Sequence, residues 1–258
     1  MNYILGAGGF IGKHLQKRIN ATAIPHQKIQ TVSFEPFDNL YYLASYGNLI
    51  HQTDTKKTIK ANTLDIAKII DKAIDHNFKS FVFISTSSVK LRIQTTYSRA
   101  KRAAEEILLA YLERYNKPIC IVRPFSVTGV GEQAEHLIPK LIHSCITGEQ
   151  MNFVGHPTHD FIDVDDLISG ILNLSEHSAR GIFELGTGKS YSNDQVLEIV
   201  ERVTGKRANI NRVESLRKYD SENWVSTNFG ARRFGWMPKK SLEVSIREMY
   251  ESAQKKNT

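Results

Sequence analysis

The sequence has few of the features that staple a fold or tie it to a membrane. Its 258 residues include two cysteines, Cys120 and Cys145, which are too few for a disulfide framework, and no cysteine–histidine cluster has zinc spacing. No stretch approaches the roughly 20 apolar residues of a membrane span. The first apolar run breaks at Gly6, which does not fit a signal peptide. We therefore predict a soluble, cytoplasmic protein that holds no metal ion.

The composition is that of a globular chain with an excess of basic residues. Apolar residues make up 41% and charged residues 24%, and the formal net charge is +7. Residues 205–258 carry 12 Lys/Arg and 6 Asp/Glu, so most of the excess lies there. Aromatic residues do not interleave with the basic ones, which argues against nucleic acid. A solvated basic face and a site for a small phosphate ligand remain as alternatives.

Short apolar runs alternate with helical stripes along the chain. Strands are predicted at residues 2–5, 39–43, 81–85, 119–122 and 181–185. Helices are predicted at residues 10–19, 55–76, 97–115, 138–147, 165–175, 193–204 and from 242 onward. Continuous apolar strands that alternate with helices are typical of a doubly wound, parallel α/β sheet. The segment after Pro124 is less regular and predicts a smaller lobe packed on that sheet.

A glycine-rich turn follows the first predicted strand and opens the first helix. Gly6, Gly9 and Gly12 have the spacing GxxGxxG, with Phe10 and Ile11 between the last two. Glycine lets the backbone approach a pyrophosphate, and the N–H groups at the start of the helix then face the anion. Because the strand–turn–helix context is present, we predict a dinucleotide site here.

The end of the second predicted strand, residues 21–24, bears on the choice of cofactor. A carboxylate expected there would bind a ribose 2′-hydroxyl, but the following residues include His26 and Lys28 and no acid. Two basic groups favour a 2′-phosphate, and so NADP(H) over NAD(H). The alternative interpretation is an irregular, shortened connection with surface charges.

A tyrosine and a lysine lie on one face of the third long helix. Tyr97 and Lys101 are four residues apart, and an ammonium group beside a phenol is expected to lower the phenol pKa. Such a phenol can exchange protons near neutral pH. The hydroxyl-rich run at residues 85–88 follows a predicted strand, at the sheet edge where ligands bind.

Several ordered segments together resemble the extended short-chain dehydrogenase/reductases, specifically the NAD(P)-dependent nucleotide-sugar epimerase/dehydratase family. The resemblance covers most of the chain. The segments are LGAGGFIG, NLYYLA, FVFISTSSV, YSRAK, RPFSVTG, HDFIDVDDL, FELGTG and FGWMP. The family implies a Rossmann-type domain at residues 1–125, whose sheet residues 181–185 complete, and a mostly substrate-binding lobe at residues 126–258.

The resemblance also implies roles for individual residues. Tyr97 would exchange a proton with the sugar, Lys101 would hold the nicotinamide ribose, and Thr86, or alternatively Ser87, would orient the substrate. The implied cofactor-binding residues are Gly6, Gly9, Phe10, Ile11, Gly12, His26, Leu43, Ala44, Asn62, Tyr97, Lys101 and Phe125. The implied substrate-binding residues are Ser126 and His159, and Arg232, or alternatively Arg233 or Arg212, is expected to add a basic group from the C-terminal third.

The chain departs from the family pattern at several positions. Ser87 and Ser88 replace the two acids of the 4,6-dehydratases, which argues against dehydratase activity. Lys90 stands where tyrosine is common, and the segment from 86 to 97 is short. His159 replaces a phosphate-binding arginine, and imidazole is a weaker partner for an anion than guanidinium.

Three functions therefore stay open. We favour reduction of a nucleotide-linked 4-keto sugar at C4, with 4-epimerisation of a nucleotide sugar as the alternative. A non-catalytic, NAD(P)-binding sensor or scaffold is a third hypothesis. The nucleotide sugar is the expected partner, without nucleic acid or membrane, and a homodimer through helices 55–76 and 97–115 is possible within the family pattern.

Overall fold

A computed structural model describes residues 1–49, 51–215 and 224–255 of the chain. It divides into two compact units. The first unit comprises Met1–Pro124, Ile168–Leu185 and Phe229–Trp236, and the second comprises Phe125–Leu167, Gly186–Asn228 and Met237–Thr258. Within the described ranges, no helix is both long enough and apolar enough to cross a membrane.

The elements follow closely the order that the sequence predicts. The strands are β1 (Asn2–Leu5), β2 (Thr22–Ile24), β3 (Asn39–Tyr42), β4 (Ser80–Ile84), β5 (Ile119–Pro124), β6 (Ser126–Thr128), β7 (Met151–Phe153), β8 (Thr158–His159), β9 (Phe161–Asp163), β10 (Gly181–Leu185), β11 (Tyr191–Ser192) and β12 (Ile210–Arg212). The α-helices are α1 (Phe10–Arg18), α2 (Thr55–Ile59), α3 (Asp65–Ala73), α4 (Thr96–Tyr115), α5 (Leu137–Thr147), α6 (Val164–Glu176), α7 (Asn193–Thr204), α8 (Phe229–Arg232) and α9 (Leu242–Lys255). Short 3₁₀ turns lie at His26–Lys28 and Ser87–Lys90, and a π-helical turn lies at Lys60–Leu64.

A six-stranded parallel sheet forms the centre of the first unit. Its strand order is β10-β5-β4-β3-β1-β2, and every neighbouring pair is parallel. The predicted doubly wound, Rossmann-type α/β fold is therefore confirmed. The chain leaves β1 toward β2 on one side and returns to β3 on the other. In open parallel sheets such a switch point creates a crevice at the carboxyl ends of the strands, here those of β1 and β3.

The connection between β2 and β3 is irregular beyond its 3₁₀ turn, as the alternative interpretation of this segment held. Aromatic packing holds the connection against the sheet. The Tyr3 ring lies 5.2 Å from that of Phe34 and 5.7 Å from that of Phe37, centroid to centroid. Phe37 in turn stacks on Phe78 at 5.6 Å. These buried rings give the shortened connection a fixed path without a further strand.

The helix predicted at residues 55–76 is one helical run in three segments, α2, the π-helical turn and α3, and it ends at Ala73. Asp54 caps its start by accepting the Lys57 N–H at 3.0 Å. Inside the π-helical turn, the buried Asn62 amide donates to the carbonyl oxygens of Thr58 at 2.8 Å and Tyr46 at 2.6 Å. A polar side chain that binds the helix's own carbonyl oxygens can disturb its regular ladder, and π-turns are frequent at functional sites.

The second unit has its own apolar core. Helices α5, α7 and α9 pack around buried residues that include Leu141, Phe153, Val196 and Ile246. Helix α7 has the predicted bounds. Ser192 caps it and exchanges hydrogen bonds reciprocally with Gln195, which satisfies N–H groups that the first helical turn leaves unpaired.

The acidic run at the start of α6 has partners within the second unit. Asp163 accepts the Asp165 N–H at 2.8 Å, and Asp166 accepts the backbone N–H groups of Lys239 and Lys240 at 2.8 and 2.7 Å. The Lys240 ammonium group lies 3.0 Å from Asp165. These carboxylates therefore cap a helix and anchor a neighbouring segment of chain.

Candidate active site

The glycine turn packs directly against the end of β3. Gly6 has φ +90°, and a Cβ there would lie 2.5 Å from the backbone nitrogen of Ala44. A Cβ on Gly12 would lie 2.2 Å from the Gly6 carbonyl oxygen. Both glycines are therefore required by the protein's own packing, which brings strand, turn and helix into close contact.

Gly8 and Gly9 differ from these two. A Cβ on Gly8 would meet no atom within 4 Å, and one on Gly9 would meet only the Gly6 carbonyl oxygen at 3.4 Å. Gly9 is the N-cap of α1, no side chain caps this helix, and its first turn contains no acid. The first N–H groups of a helix have no partner within it and attract anions, so the turn fits a dinucleotide phosphate.

Three further predicted cofactor residues gather at this turn. The Leu43 N–H donates to the Leu5 carbonyl oxygen at 2.8 Å, and Ala44 abuts Gly6. Asn62 holds the following loop through Tyr46, and its own buried Oδ1 has no hydrogen-bond partner within the described residues. Asn62 is fully buried.

Tyr97 and Lys101 lie in the first two turns of α4. The Lys101 side chain is 1% exposed, and its ammonium group donates to the Ile84 carbonyl oxygen at 2.8 Å. The Lys101 nitrogen lies 5.9 Å from the centroid of the Tyr97 ring and 4.7 Å from that of Phe83. The structure therefore places both predicted side chains beside the carboxyl end of β4.

Burial dominates the acid–base properties of this pair. It lowers the pKa of Lys101 to about 7, against the opposing charge of Glu105. It raises the pKa of Tyr97 to about 12, against a hydrogen bond with Ser45 that lowers it. The pKa of Tyr97 is therefore raised, and not lowered as the sequence predicts, because burial outweighs the hydrogen bond with Ser45.

A buried ionic network lies one helical turn beyond Lys101. Glu105 is 1% exposed and accepts hydrogen bonds from Arg123 on β5, at 2.9 Å from Nε and 2.5 Å from Nη2. The Ser85 hydroxyl donates to the same carboxylate at 2.5 Å. Sequence reasoning missed Glu105 and Ser45. The i, i+4 spacing from Lys101 is the signal that could have found Glu105.

The two candidate hydroxyl residues follow β4. Thr86 is partly exposed, caps the turn Ser87–Lys90 and accepts the Ser88 N–H at 3.2 Å. Ser87 is 1% exposed. Thr95 accepts the Ser98 N–H at 3.2 Å and caps α4. Residues 91–95 alone connect the turn to α4.

The remaining predicted residues do not all lie in this unit. His26 is exposed in the 3₁₀ turn after β2, and Arg232 is exposed at the end of α8. Phe125, Ser126 and His159 belong to the second unit. There, the His159 ring lies 5.6 Å from the Trp224 ring, and the Ser126 N–H donates to the Asp160 carbonyl oxygen at 2.9 Å.

Comparison with known proteins identifies the family. The model of the NAD dependent epimerase/dehydratase family matches residues 20–186. The chain belongs to this family. A UDP-glucuronate 4-epimerase of Thermodesulfobacterium geofontis is 26% identical over 220 residues, which cover 79% of this chain and 66% of that protein. The match thus spans just under two thirds of this family member's length.

Solved structures of similar fold cover the whole chain. MoeE5 in complex with UDP-glucose and NAD has a TM-score of 0.89 at 19% identity, over 100% of this chain and 99% of that one. RMD from Pseudomonas aeruginosa, complexed with NADPH, has a TM-score of 0.86 at 17% identity, over 99% of each chain. At these identities the similarity supports the fold.

Proposed function

We propose that the protein is an NADP(H)-dependent reductase that converts a nucleotide-linked 4-keto sugar to the alcohol. The neutral phenol of Tyr97 carries this proposal. Because burial raises its pKa to about 12, Tyr97 holds its proton at neutral pH. Reduction of a ketone adds a hydride to the carbonyl carbon and a proton to the carbonyl oxygen. A protonated phenol that is still partly exposed can supply that proton.

The chain's own residues divide the remaining work. When bound, the nicotinamide cofactor would supply the hydride. The N–H groups of Phe10, Ile11 and Gly12 would bind its phosphates, since they begin a helix that no side chain caps. Lys101 would bind the nicotinamide ribose, and Thr86, whose hydroxyl is more accessible than that of Ser87, would orient the keto oxygen.

The proposed preference for NADP(H) rests on the residues that follow β2. His26 and Lys28 are both exposed there, and residues 25–34 contain no carboxylate that would repel a 2′-phosphate. For the substrate we propose Ser126 and His159 as binding residues, from their positions in the family motifs, and Arg232 as an additional basic group.

A 4-epimerase is the second candidate, favoured by the name of the similar protein from T. geofontis. An epimerase must first remove a proton from the C4 hydroxyl, so it needs a base where a reductase needs an acid. The high pKa of Tyr97 therefore favours the reductase, and a lowered value in the substrate complex would favour the epimerase.

One pair of assays separates the hypotheses. NADPH and NADH are titrated by fluorescence, and tighter binding of NADPH is expected. NADPH oxidation is then followed with nucleotide-linked 4-keto hexoses, and interconversion is followed with UDP-glucuronate and UDP-glucose. Stoichiometric NADPH consumption supports the reductase, redox-neutral interconversion supports the epimerase, and binding without any turnover leaves the scaffold.

We also propose a homodimer through the helical run at residues 55–73 and α4. Ile59 and Leu64 are 42% and 53% exposed on the former, and Tyr115 is 49% exposed on the latter. Light scattering on the purified protein should give twice the mass of one chain, and Leu64→Asp should return it to the monomer. A monomeric wild-type protein contradicts this proposal.

A further inference from the structure

Glu105 is a buried carboxylate with a complete set of donors. Two guanidinium nitrogens of Arg123 and the Ser85 hydroxyl donate to it; Arg123 lies on β5, and Ser85 directly follows the neighbouring strand β4. Charge-assisted, two-pronged bonds of this kind fix an acid in position as well as in charge. The carboxylate cannot turn away without leaving Arg123 unpaired.

Charges alternate in sign from the surface to Lys101. Lys90 forms an ion pair with Glu184 on β10, and Glu184 is the register partner of Arg123 on β5. Although burial lowers it, the pKa of Arg123 is raised overall, by its hydrogen bond to Glu105 and by the charges of Glu105 and Glu184. The innermost members are Glu105 and Lys101, each 1% exposed.

The groups that face Lys101 come from several elements. On α4 they are Tyr97 and Glu105, and β4 supplies the Phe83 ring and the Ile84 carbonyl oxygen.

The helical run packed against α4 contributes another buried carboxylate, Asp65. Lys60 at 2.7 Å and Gln30 at 2.8 Å already bind it. Among the described residues, Glu105 is thus the acid whose charge acts on Lys101.

We propose that Glu105 is a positioning residue, whose fixed negative charge one helical turn away favours the ammonium form of the buried Lys101 side chain. A buried ammonium group is costly unless an opposite charge compensates it. Without Glu105, Lys101 would lose its proton at a lower pH than in the wild type, and with it one of the donors that it would offer to ribose hydroxyls. The role at the ribose rests on the proposed function, whereas the charge coupling does not.

A double-mutant cycle tests the charge coupling without any activity. Urea unfolding is measured for the wild type, Glu105→Gln, Lys101→Met and the double variant, at about pH 6 and about pH 9.5. We expect a coupling of about tenfold in the unfolding equilibrium constant at the lower pH, where Lys101 is charged, and little at the higher pH. A coupling that is the same at both pH values overturns the proposal, since a merely structural contact does not titrate with Lys101.

The pH dependence of NADPH binding tests the consequence for the site. In Glu105→Gln, the loss of affinity with rising pH should move to lower pH by about one unit. Glu113→Gln, an exposed acid on the same helix, is the matched control and should leave the curve in place. A uniform loss of affinity at every pH would mean that Glu105 only supports the fold.

Two other results are decisive as well. If Glu105→Gln does not fold, Glu105→Asp is used, which keeps the charge on a side chain one methylene group shorter. The pH dependence of NADPH binding should then shift in the same direction by a smaller amount, and no shift overturns the proposal. If the wild type binds neither NADPH nor NADH, the proposed function fails. The double-mutant cycle then remains as the test of the charge coupling between Glu105 and Lys101.

Discussion

Replacing Lys101 with methionine should stabilise the protein at neutral pH and destabilise it at alkaline pH. Methionine has a similar length and carries no charge, so the buried volume is nearly kept. The amino group is 1% exposed and its pKa falls from 10.5 to about 7 on folding, chiefly by burial. The charged form of Lys101 is therefore less stable in the folded protein than in the unfolded chain, where water solvates it.

The magnitude follows from the size of that change. One pKa unit corresponds to about 1.4 kcal/mol, so the lowered pKa of Lys101 costs about 5 kcal/mol of stability below pH 7. Between about pH 7 and 10.5 the unfolded chain binds this proton more tightly than the folded protein does. The stability of the wild type therefore rises with pH through this window, relative to a variant without the group.

A second, pH-independent term opposes the first. Methionine cannot donate to the Ile84 carbonyl oxygen, and an unpaired buried acceptor costs about 1–3 kcal/mol. Lys101→Met should thus be more stable than the wild type by about 3 kcal/mol near pH 6 and less stable by about 1 kcal/mol near pH 10. The two stability curves should cross in the weakly alkaline range.

Urea unfolding at pH intervals of about one unit measures this difference. Near pH 8.5 its slope should approach about 1.4 kcal/mol per pH unit, the value for one proton. The exposed Lys56→Met, on α2, measures what removal of any lysine does. A difference between wild type and Lys101→Met that stays constant from about pH 7 to pH 10 would refute the lowered pKa.

Four further variants test the cofactor site and the chemistry. Gly9→Val should keep the melting temperature, because its Cβ meets no atom closer than 3.4 Å, yet abolish NADPH binding in calorimetry; Gly12→Val should instead unfold the protein, since its Cβ would lie 2.2 Å from the Gly6 carbonyl oxygen. If a folded Gly9→Val variant binds NADPH as tightly as the wild type, the cofactor phosphates do not bind at this turn. Tyr97→Phe should lower turnover by about 10²–10⁴-fold with little change in cofactor affinity, and wild-type turnover would exclude Tyr97 as the proton donor. Lys28→Ala should weaken NADPH binding but not NADH binding, and equal losses for both would contradict the 2′-phosphate assignment.

Short-range sequence patterns predict the bounds of those helices and strands that depend on neighbouring residues in the chain. β1, β10 and α7 have the predicted bounds, because continuous apolar runs mark the strands and a Ser192 cap and Gly205 mark the helix ends. The π-helical turn could not be predicted in this way. It depends on an amide that reaches the Tyr46 carbonyl oxygen, sixteen residues away in the chain.

The glycine motif shows a different limit. Spacing assigns Gly6, Gly9 and Gly12 alike to the phosphate, whereas the structure gives Gly6 and Gly12 a role in the protein's own packing. Of these three, only Gly9 could carry a Cβ without a severe clash, at 3.4 Å from the Gly6 carbonyl oxygen, and Gly9 is the N-cap of α1. A motif thus combines residues needed for the fold with residues needed for the ligand, and the substitution that separates them is the one to test.

The acid–base pair was located from the sequence, but its protonation was not. Helical spacing places Tyr97 and Lys101 side by side. If both were exposed, the ammonium group of Lys101 would lower the pKa of the Tyr97 phenol. Burial reverses this result, because each group loses solvent and both shift toward their neutral forms. The packing of β4, β5 and α4 that removes the solvent also brings Glu105 and Arg123 behind Lys101. These shifts arise from tertiary packing, which the spacing of two residues along a helix does not reveal.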